Sequence, residues 1–109
     1  MTDASQAAAC LNKSRSDSKV PLFRLGKVLA TPGALDTLET LQLTPMPFLL
    51  RHASGDWGDI CAEDQQANAD ALLLGSRLMS VYVLSAVHRL WVITEADRSY
   101  TTLLLPEEY

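Results

Sequence analysis

Cysteine and long apolar runs are scarce in this chain of 109 residues. Cys10 and Cys61 are its two cysteines, and no CxxC pair occurs, which excludes a disulfide framework and the common zinc motifs. The longest apolar runs, such as Leu103-Leu104-Leu105, fall far short of the roughly 18 residues that a membrane span needs. The first residues lack the basic and apolar regions of a signal peptide. We therefore expect a cytoplasmic protein with reduced thiols and no membrane contact.

Motifs of nucleotide-binding and hydrolytic sites are also missing, since no P-loop, GxGxxG, HExxH or GxSxG pattern occurs. His52 and His88 are the only histidines, and either is a candidate general base because an unperturbed imidazole titrates near neutral pH. No Ser or Cys nucleophile motif accompanies them, so a structural role is favoured for both. The sequence favours a protein that is not an enzyme and that needs no cofactor.

Charge is distributed unevenly along the chain, whose net charge is −4. Basic residues outnumber acidic ones over residues 1–30, and acidic residues dominate the rest. An acidic surface repels phosphate, so nucleic-acid binding is disfavoured except through the N-terminal arm. Residues 1–19 are polar and show no periodicity, which predicts a flexible tail before a single domain over residues 20–109.

Strand-forming residues from Pro21 to Ala30 predict a first strand, in which Gly26 marks a bulge or a close approach by another backbone. Helices are predicted over residues 32–42, 45–53 and 61–74. Thr-Pro pairs at Thr31 and Thr44 are the signals for the starts of the first two, and Gly75 ends the third. The inward stripes predicted for the three helices are Ala34, Leu38 and Leu41; Phe48, Leu49 and Ala53; and Ala67, Ala71 and Leu74.

Three runs rich in β-branched and aromatic residues, over residues 78–84, 89–94 and 100–105, predict the remaining strands. Their connections are short, so neighbouring strands are expected to pair antiparallel as a meander. The predicted fold class is α+β, with three helices packed on a mainly antiparallel sheet in the order β-α-α-α-β-β-β. The edge at which the first strand pairs is left open by the sequence.

Two stretches of the sequence resemble a family of small bacterial proteins encoded on plasmids and other mobile elements. One is the run Gly55-Asp56-Trp57-Gly58 with residues 63–68 and 73–82, and the other is residues 90–109. Members are usually described as plasmid-related and sometimes as a restriction–modification subunit. The resemblance implies a mobile-element accessory protein and brings no catalytic residues with it. The hairpin tip Ser85-Ala86-Val87-His88 departs from the Gly- or Asp-containing turn of similar sequences.

An interface is predicted on the sheet. Trp91 and Ile93 alternate with Leu90 and Val92, so one of these pairs is left on the face that the helices do not cover. An apolar, aromatic face without helix cover is typical of an interface. The sequence therefore predicts a homodimer or a complex with a protein partner. The candidate interface residues are Trp91, Ile93, Tyr82 and Tyr100.

Two charged clusters are weaker candidates. Glu95, Asp97 and Arg98 share a predicted hairpin loop, where they either form a site or simply build a solvated turn. Carboxylates in the second cluster could hold Mg²⁺ or Ca²⁺, but their spacing is not that of an EF-hand, and an acidic helix start is favoured over a metal site. The members of the second cluster are Asp56, Asp59, Glu63 and Asp64, near His52.

An alternative function comes from fold-level analogy with ribosome-dependent RNA-cleaving toxins of toxin–antitoxin pairs. Those toxins gather basic residues, His or Tyr on their sheet, whereas this domain is acidic. The residues that would have to serve here are Arg77, Tyr82, His88 and Arg89.

Overall fold

The computed structural model describes residues 20–109, which form one four-stranded sheet and three α-helices. The elements follow the predicted order β-α-α-α-β-β-β, which confirms the α+β class. Their bounds are β1 (Lys27–Ala30), α1 (Pro32–Thr40), α2 (Met46–Ala53), α3 (Ala62–Leu74), β2 (Leu78–Val83), β3 (Arg89–Thr94) and β4 (Tyr100–Leu104), followed by a 3-10 turn, Pro106–Glu108. The predicted tail over residues 1–19, with Cys10, lies outside the described residues.

The sheet has the strand order β1-β4-β3-β2. Strands β2, β3 and β4 form the predicted antiparallel meander, with Val81 opposite Trp91 and Trp91 opposite Leu104. Strand β1 pairs with β4 in parallel, with Lys27 opposite Tyr100. The first and last strands of the chain are therefore neighbours, and β1 and β2 are the two edges.

Strand β1 is shorter than predicted because Gly26 leaves the extended conformation, with φ at +67°. A Cβ atom at this position would lie 2.3 Å from the carbonyl oxygen of Ser99, far inside van der Waals contact. Of the two roles predicted for Gly26, the close approach by another backbone is the one observed. Strand pairing starts at the next residue, where the N–H of Lys27 donates to the carbonyl of Ser99.

Helix α1 begins as predicted. The side chain of Thr31 accepts a hydrogen bond from the N–H of Ala34 at 3.2 Å, and Pro32 occupies the first helical position. Glu108 extends this cap, since its carboxylate accepts from the hydroxyl of Thr31 and from the N–H of Gly33. The bond from Thr31 lowers the pKa of Glu108 most, followed by a bond from the N–H of Leu105 and then by that from Gly33. The end of the chain thereby holds the start of α1.

The N-cap predicted for helix α2, Thr44, differs from the one observed. The N-cap position is Pro45, with φ −69° and ψ −30°, and no side chain caps the helix there. Thr44 therefore precedes the cap, because Pro45 already has helical dihedral angles but no side-chain acceptor. At the other end, Arg51 and His52 lie in the last turn, where positive charge and hydrogen-bond donors are favoured.

The inward stripe predicted for helix α3 differs from the one observed. Its buried residues are Asn68 and Ala71, whereas Ala67 is exposed and Leu74 is 78% exposed. The helix makes its sheet contacts with the edge strand β2, so only a narrow line of its surface is covered. It ends at Gly75, whose φ of +76° is the left-handed geometry expected there.

The core lies between helices α1 and α2 and one face of the sheet. Ala34, Leu38 and Leu49 come from the helices and contact strand residues that are at most 1% exposed. The strand members of this cluster are Tyr82, Leu90, Val92 and Leu103. The predicted stripes of α1 and α2 thus point inward, although Leu41 and Phe48 are only half-buried. Among residues 20–109, no helix is long and apolar enough to cross a membrane.

Candidate interaction site

The predicted interface residues divide between the two faces of the sheet. Leu90 lies in the core, and Tyr82 is opposite it in the register, so Tyr82 faces the helices and is 1% exposed. Trp91, Ile93 and Tyr100 lie on the other face. The alternation placed Trp91 and Leu90 on opposite faces correctly, but the prediction of Tyr82 as an interface residue is wrong, because its side chain packs in the core under the helices.

Contacts within the chain reduce the apolar surface that the second face of the sheet exposes to a partner. Ile93 is 4% exposed, and Trp91 is half-buried with its ring 5.4 Å from that of Tyr109. The guanidinium of Arg77 lies 5.7 Å from the same tyrosine ring. Tyr100 is 40% exposed and is the accessible member of the predicted set. Tyr109 thus covers part of this face at Trp91.

Asp97 and Arg98 of the β3–β4 loop are engaged within the chain through their side chains, and Glu95 through its backbone. The Oδ1 atom of Asp97 accepts from the N–H of Ser99 at 3.0 Å and from its hydroxyl at 2.6 Å. The hydroxyl bond, followed by the backbone bond, lowers the pKa of Asp97. The guanidinium of Arg98 donates to four carbonyl oxygens at 2.6–3.2 Å, those of Ala71, Ser76, Glu95 and Ala96. The loop is therefore a turn that Arg98 ties to the end of α3.

Carboxylates near the start of α3 do not converge. Asp56 forms an ion pair with Arg51, with Oδ2 and Nε 2.7 Å apart, which raises the pKa of Arg51. Asp59 lies 3.9 Å from a guanidinium nitrogen of Arg89. Within residues 20–109, no group of three His, Cys, Asp or Glu side chains is placed to hold a metal ion.

A buried polar chain, which the sequence analysis missed, runs through His52. Its Nδ1 lies 2.6 Å from the hydroxyl of Ser80, and its Nε2 lies 2.9 Å from that of Thr94. The hydroxyl of Thr94 is 2.7 Å from that of Thr101, which donates to the carbonyl of Leu25 at 2.7 Å. One signal was available, since His52 lies between the predicted inward residues Leu49 and Ala53.

The proton positions in this series of buried hydrogen bonds follow from its last acceptor, the carbonyl of Leu25. The carbonyl of Leu25 can only accept, so Thr101 donates to it and must accept from Thr94. Thr94 then accepts from Nε2–H of His52, and Ser80 donates to the bare Nδ1. Every bond is satisfied with a neutral imidazole in the Nε2–H tautomer.

Burial lowers the pKa of His52 to about 4, with a smaller contribution from the positive charge of Arg98. The rings of Phe23 and Trp57 lie edge-on to the imidazole, with centroids 5.2 and 5.6 Å away. A Ser–His hydrogen bond can activate a nucleophile, but both His52 and Ser80 are 0% exposed. No substrate reaches this pair, so its role is structural.

The four residues of the toxin-like alternative do not come together at one place. Tyr82 is buried, its hydroxyl donates to the carbonyl of Asp56 at 2.6 Å, and burial raises its pKa to about 12. Arg77 directly precedes β2, while Arg89 faces Val83 at the far end of that strand. Six residues of extended strand separate them by about 20 Å. This placement gives the alternative no shared site.

Edge strand β2 is sealed at Met79 and Val81 by hydrogen bonds from its own chain. The amide of Asn68 accepts from the N–H of Met79 at 3.2 Å and donates to its carbonyl at 2.8 Å, as a neighbouring strand would. The N–H of Val81 donates to the carbonyl of Trp57 at 3.0 Å, and its carbonyl accepts from Asp59 at 2.7 Å. Four backbone groups of this edge are thereby satisfied.

Edge strand β1 is open. The N–H groups of Lys27 and Thr31 donate into β4, so those of the alternate residues Val28 and Ala30 point away from the sheet. Within residues 20–109, these outward groups have no hydrogen-bond partner. The side chains of Val28 and Leu29 are 43% and 42% exposed. The two edges of one sheet therefore differ, and the accessible edge is apolar.

Comparison with family models, curated proteins and solved structures found no match to this chain. The fold and the contacts of the described residues therefore carry the functional argument.

Proposed function

We propose that this chain is a non-enzymatic protein that acts through association, in which β1 pairs with the β1 strand of a second copy. The difference between the sealed β2 edge and the open β1 edge supports this proposal. Unpaired edge strands are templates for another chain, and proteins usually cover the edges they do not use. As part of the same proposal, the protein works in the cytoplasm as an accessory of a mobile element, which rests on the sequence resemblance alone.

Self-pairing suits this edge because antiparallel pairing about Leu29 uses the same groups on both copies. Val28 of one copy would face Ala30 of the other, and each such pair exchanges two backbone hydrogen bonds. The exposed side chains of the two Leu29 residues would then meet across the symmetry axis. The alternative of a different protein partner uses the same edge.

Sedimentation velocity of the purified chain tests the proposal, with a dimer expected at high concentration. Val28→Pro removes an outward donor without breaking a bond to β4, and Val28→Ala is the matched control that keeps this N–H. We expect Val28→Pro and Leu29→Lys to be monomeric while Val28→Ala still dimerises. Circular dichroism checks that each variant is folded.

A pull-down from the host lysate is the second arm, for a different partner. Recovery of the same protein by the wild-type chain and by Val28→Ala, but not by Val28→Pro, would move the proposal from a second copy to that partner. A wild-type chain that is monomeric throughout and that recovers nothing dependent on residue 28 would overturn it.

A further inference from the structure

A groove of about 670 Å³ lies beside the start of β1, between residues 21–27, helix α2 and the β3–β4 loop. Its apolar lining includes Phe23, Leu25 and Leu50. This volume is in the range of small-molecule sites, which combine an apolar lining with a few polar groups. Lys27 is the only β1 residue in its lining, and Val28, Leu29 and Ala30 are not part of it, so a ligand there is a function beyond strand association.

Charge in the groove is of one sign. Arg24, Lys27 and Arg98 line it and no Asp or Glu does, although the chain has 13 acidic and nine basic residues. Within residues 20–109, none of these three cations forms an ion pair. The guanidinium of Arg98 donates its hydrogen bonds to neutral carbonyl oxygens, so no negative charge balances its positive charge. Although the protein is acidic overall, the apolar groove is therefore lined by positive side chains that have no negative side chain paired with them.

We propose that this groove binds a small amphipathic carboxylate, with its alkyl body against Phe23, Leu25 and Leu50 and its carboxylate toward Arg24 and Lys27. An apolar body alone would not need the cations, and a small anion alone would not need the apolar lining. A single ligand that carries both parts uses the whole groove.

Isothermal titration of the full chain with dodecanoate, below its micelle concentration, tests the proposal. Acetate and dodecanol supply the head group and the alkyl body separately, and both should bind more weakly than dodecanoate. The Arg24→Gln, Lys27→Gln double variant should weaken dodecanoate about tenfold and leave dodecanol unchanged, because each exposed charge pair contributes modestly.

A matched pair of leucine variants locates the site. Leu50 is 61% exposed in the groove and Leu73 is 86% exposed on α3, away from it, so an acid at either place is compatible with folding. Leu50→Asp should abolish dodecanoate binding, whereas Leu73→Asp should bind like the wild type. Neither change touches β1, so the sedimentation result of each variant should stay that of the wild type.

Several results would overturn the proposal. These are no binding of dodecanoate, binding unaffected by the double variant and by Leu50→Asp, or binding to anionic phosphatidylglycerol vesicles without binding of monomeric dodecanoate. A Glu-rich peptide that binds with the same dependence on Arg24 and Lys27 where dodecanoate does not would assign the groove to an acidic protein segment instead. Failure here leaves the association proposal untouched, since that proposal is judged on residues 28 and 29.

Discussion

At the scale of single residues, His52 shows which part of a buried contact a sequence can predict and which part it cannot. Its partners Ser80 and Thr94 are 28 and 42 residues away in sequence, so no local pattern could pair them. Burial itself was within reach, because His52 follows Leu49 by three residues and precedes Ala53 on the same helix face. What the sequence could not supply was the register that brings two hydroxyls to the two ring nitrogens.

The lowered pKa of His52 predicts a loss of stability in mild acid. The unfolded chain takes up the proton near pH 6.5, and the folded chain only near pH 4, so stability falls as pH drops through this window. Between pH 7 and pH 5 the free energy of unfolding should fall by about 2 kcal/mol. Urea unfolding at the two pH values measures this fall.

His88→Gln is the control for that experiment, since it removes the other histidine and should keep the full pH effect. His52→Gln should remove most of it. An NMR titration of the wild type gives a check that does not depend on the variants, because the His52 ring should stay neutral, in the Nε2–H tautomer, at pH 5.5. Equal stability of the wild type at pH 7 and pH 5 would contradict the prediction.

At the scale of secondary-structure elements, the sequence correctly predicted those features that depend on neighbouring residues, such as strand positions, a helix cap and a helix end. The strands β2, β3 and β4, the cap at Thr31 and the end of α3 at Gly75 were all predicted within a residue or so. Long-range pairing was not predictable, because nothing in Lys27–Ala30 indicates that β1 lies parallel to β4. The inward stripe of α3 was right at Ala71 and wrong at Ala67 and Leu74, because its pattern assumes packing on a sheet face, whereas α3 contacts an edge.

Asn68 carries the contact between α3 and β2. Asn68→Ala removes both bonds to the backbone of Met79 and leaves those groups unpaired, so the free energy of unfolding should fall by about 1–3 kcal/mol. The newly open edge should also promote self-association of the variant. Gln66→Ala is the matched control, since Gln66 bonds only to Asp70 on the exposed surface. Chemical denaturation and light scattering measure both effects, and equal behaviour of the two variants would refute this role of Asn68.

At the scale of the whole molecule, Arg98 joins parts that are distant in sequence. Its guanidinium connects the end of α3 and Ser76 to the β3–β4 loop, and it lies 5.7 Å from the ring of Phe23 in the N-terminal segment. Arginine suits this position because its planar fork presents several donors at fixed angles, which a lysine ammonium cannot reproduce.

Arg98→Lys should therefore lower the free energy of unfolding by about 2 kcal/mol, even though the charge is retained. Hydrogen exchange should become faster at the amides of Gly75 and Ser76, which donate to the carbonyl of Ala71 at the end of α3. Arg77→Lys is the control, because Arg77 contacts a ring rather than backbone carbonyls. A loss of stability no larger than that of Arg77→Lys would show that the fork geometry is not needed.

The pairing of β1 with β4 also affects how the chain completes its fold during synthesis. Thr101 and Leu25, which share a hydrogen bond, are 76 residues apart, so β1 has no neighbouring strand until β4 has been made. The β2–β3–β4 hairpins close short loops, whereas docking β1 closes the longest loop of any strand pairing in the sheet. We expect the meander to form first and β1 to join last, so a nascent chain that stops before Tyr100 would lack the strand on which its N-terminal region docks.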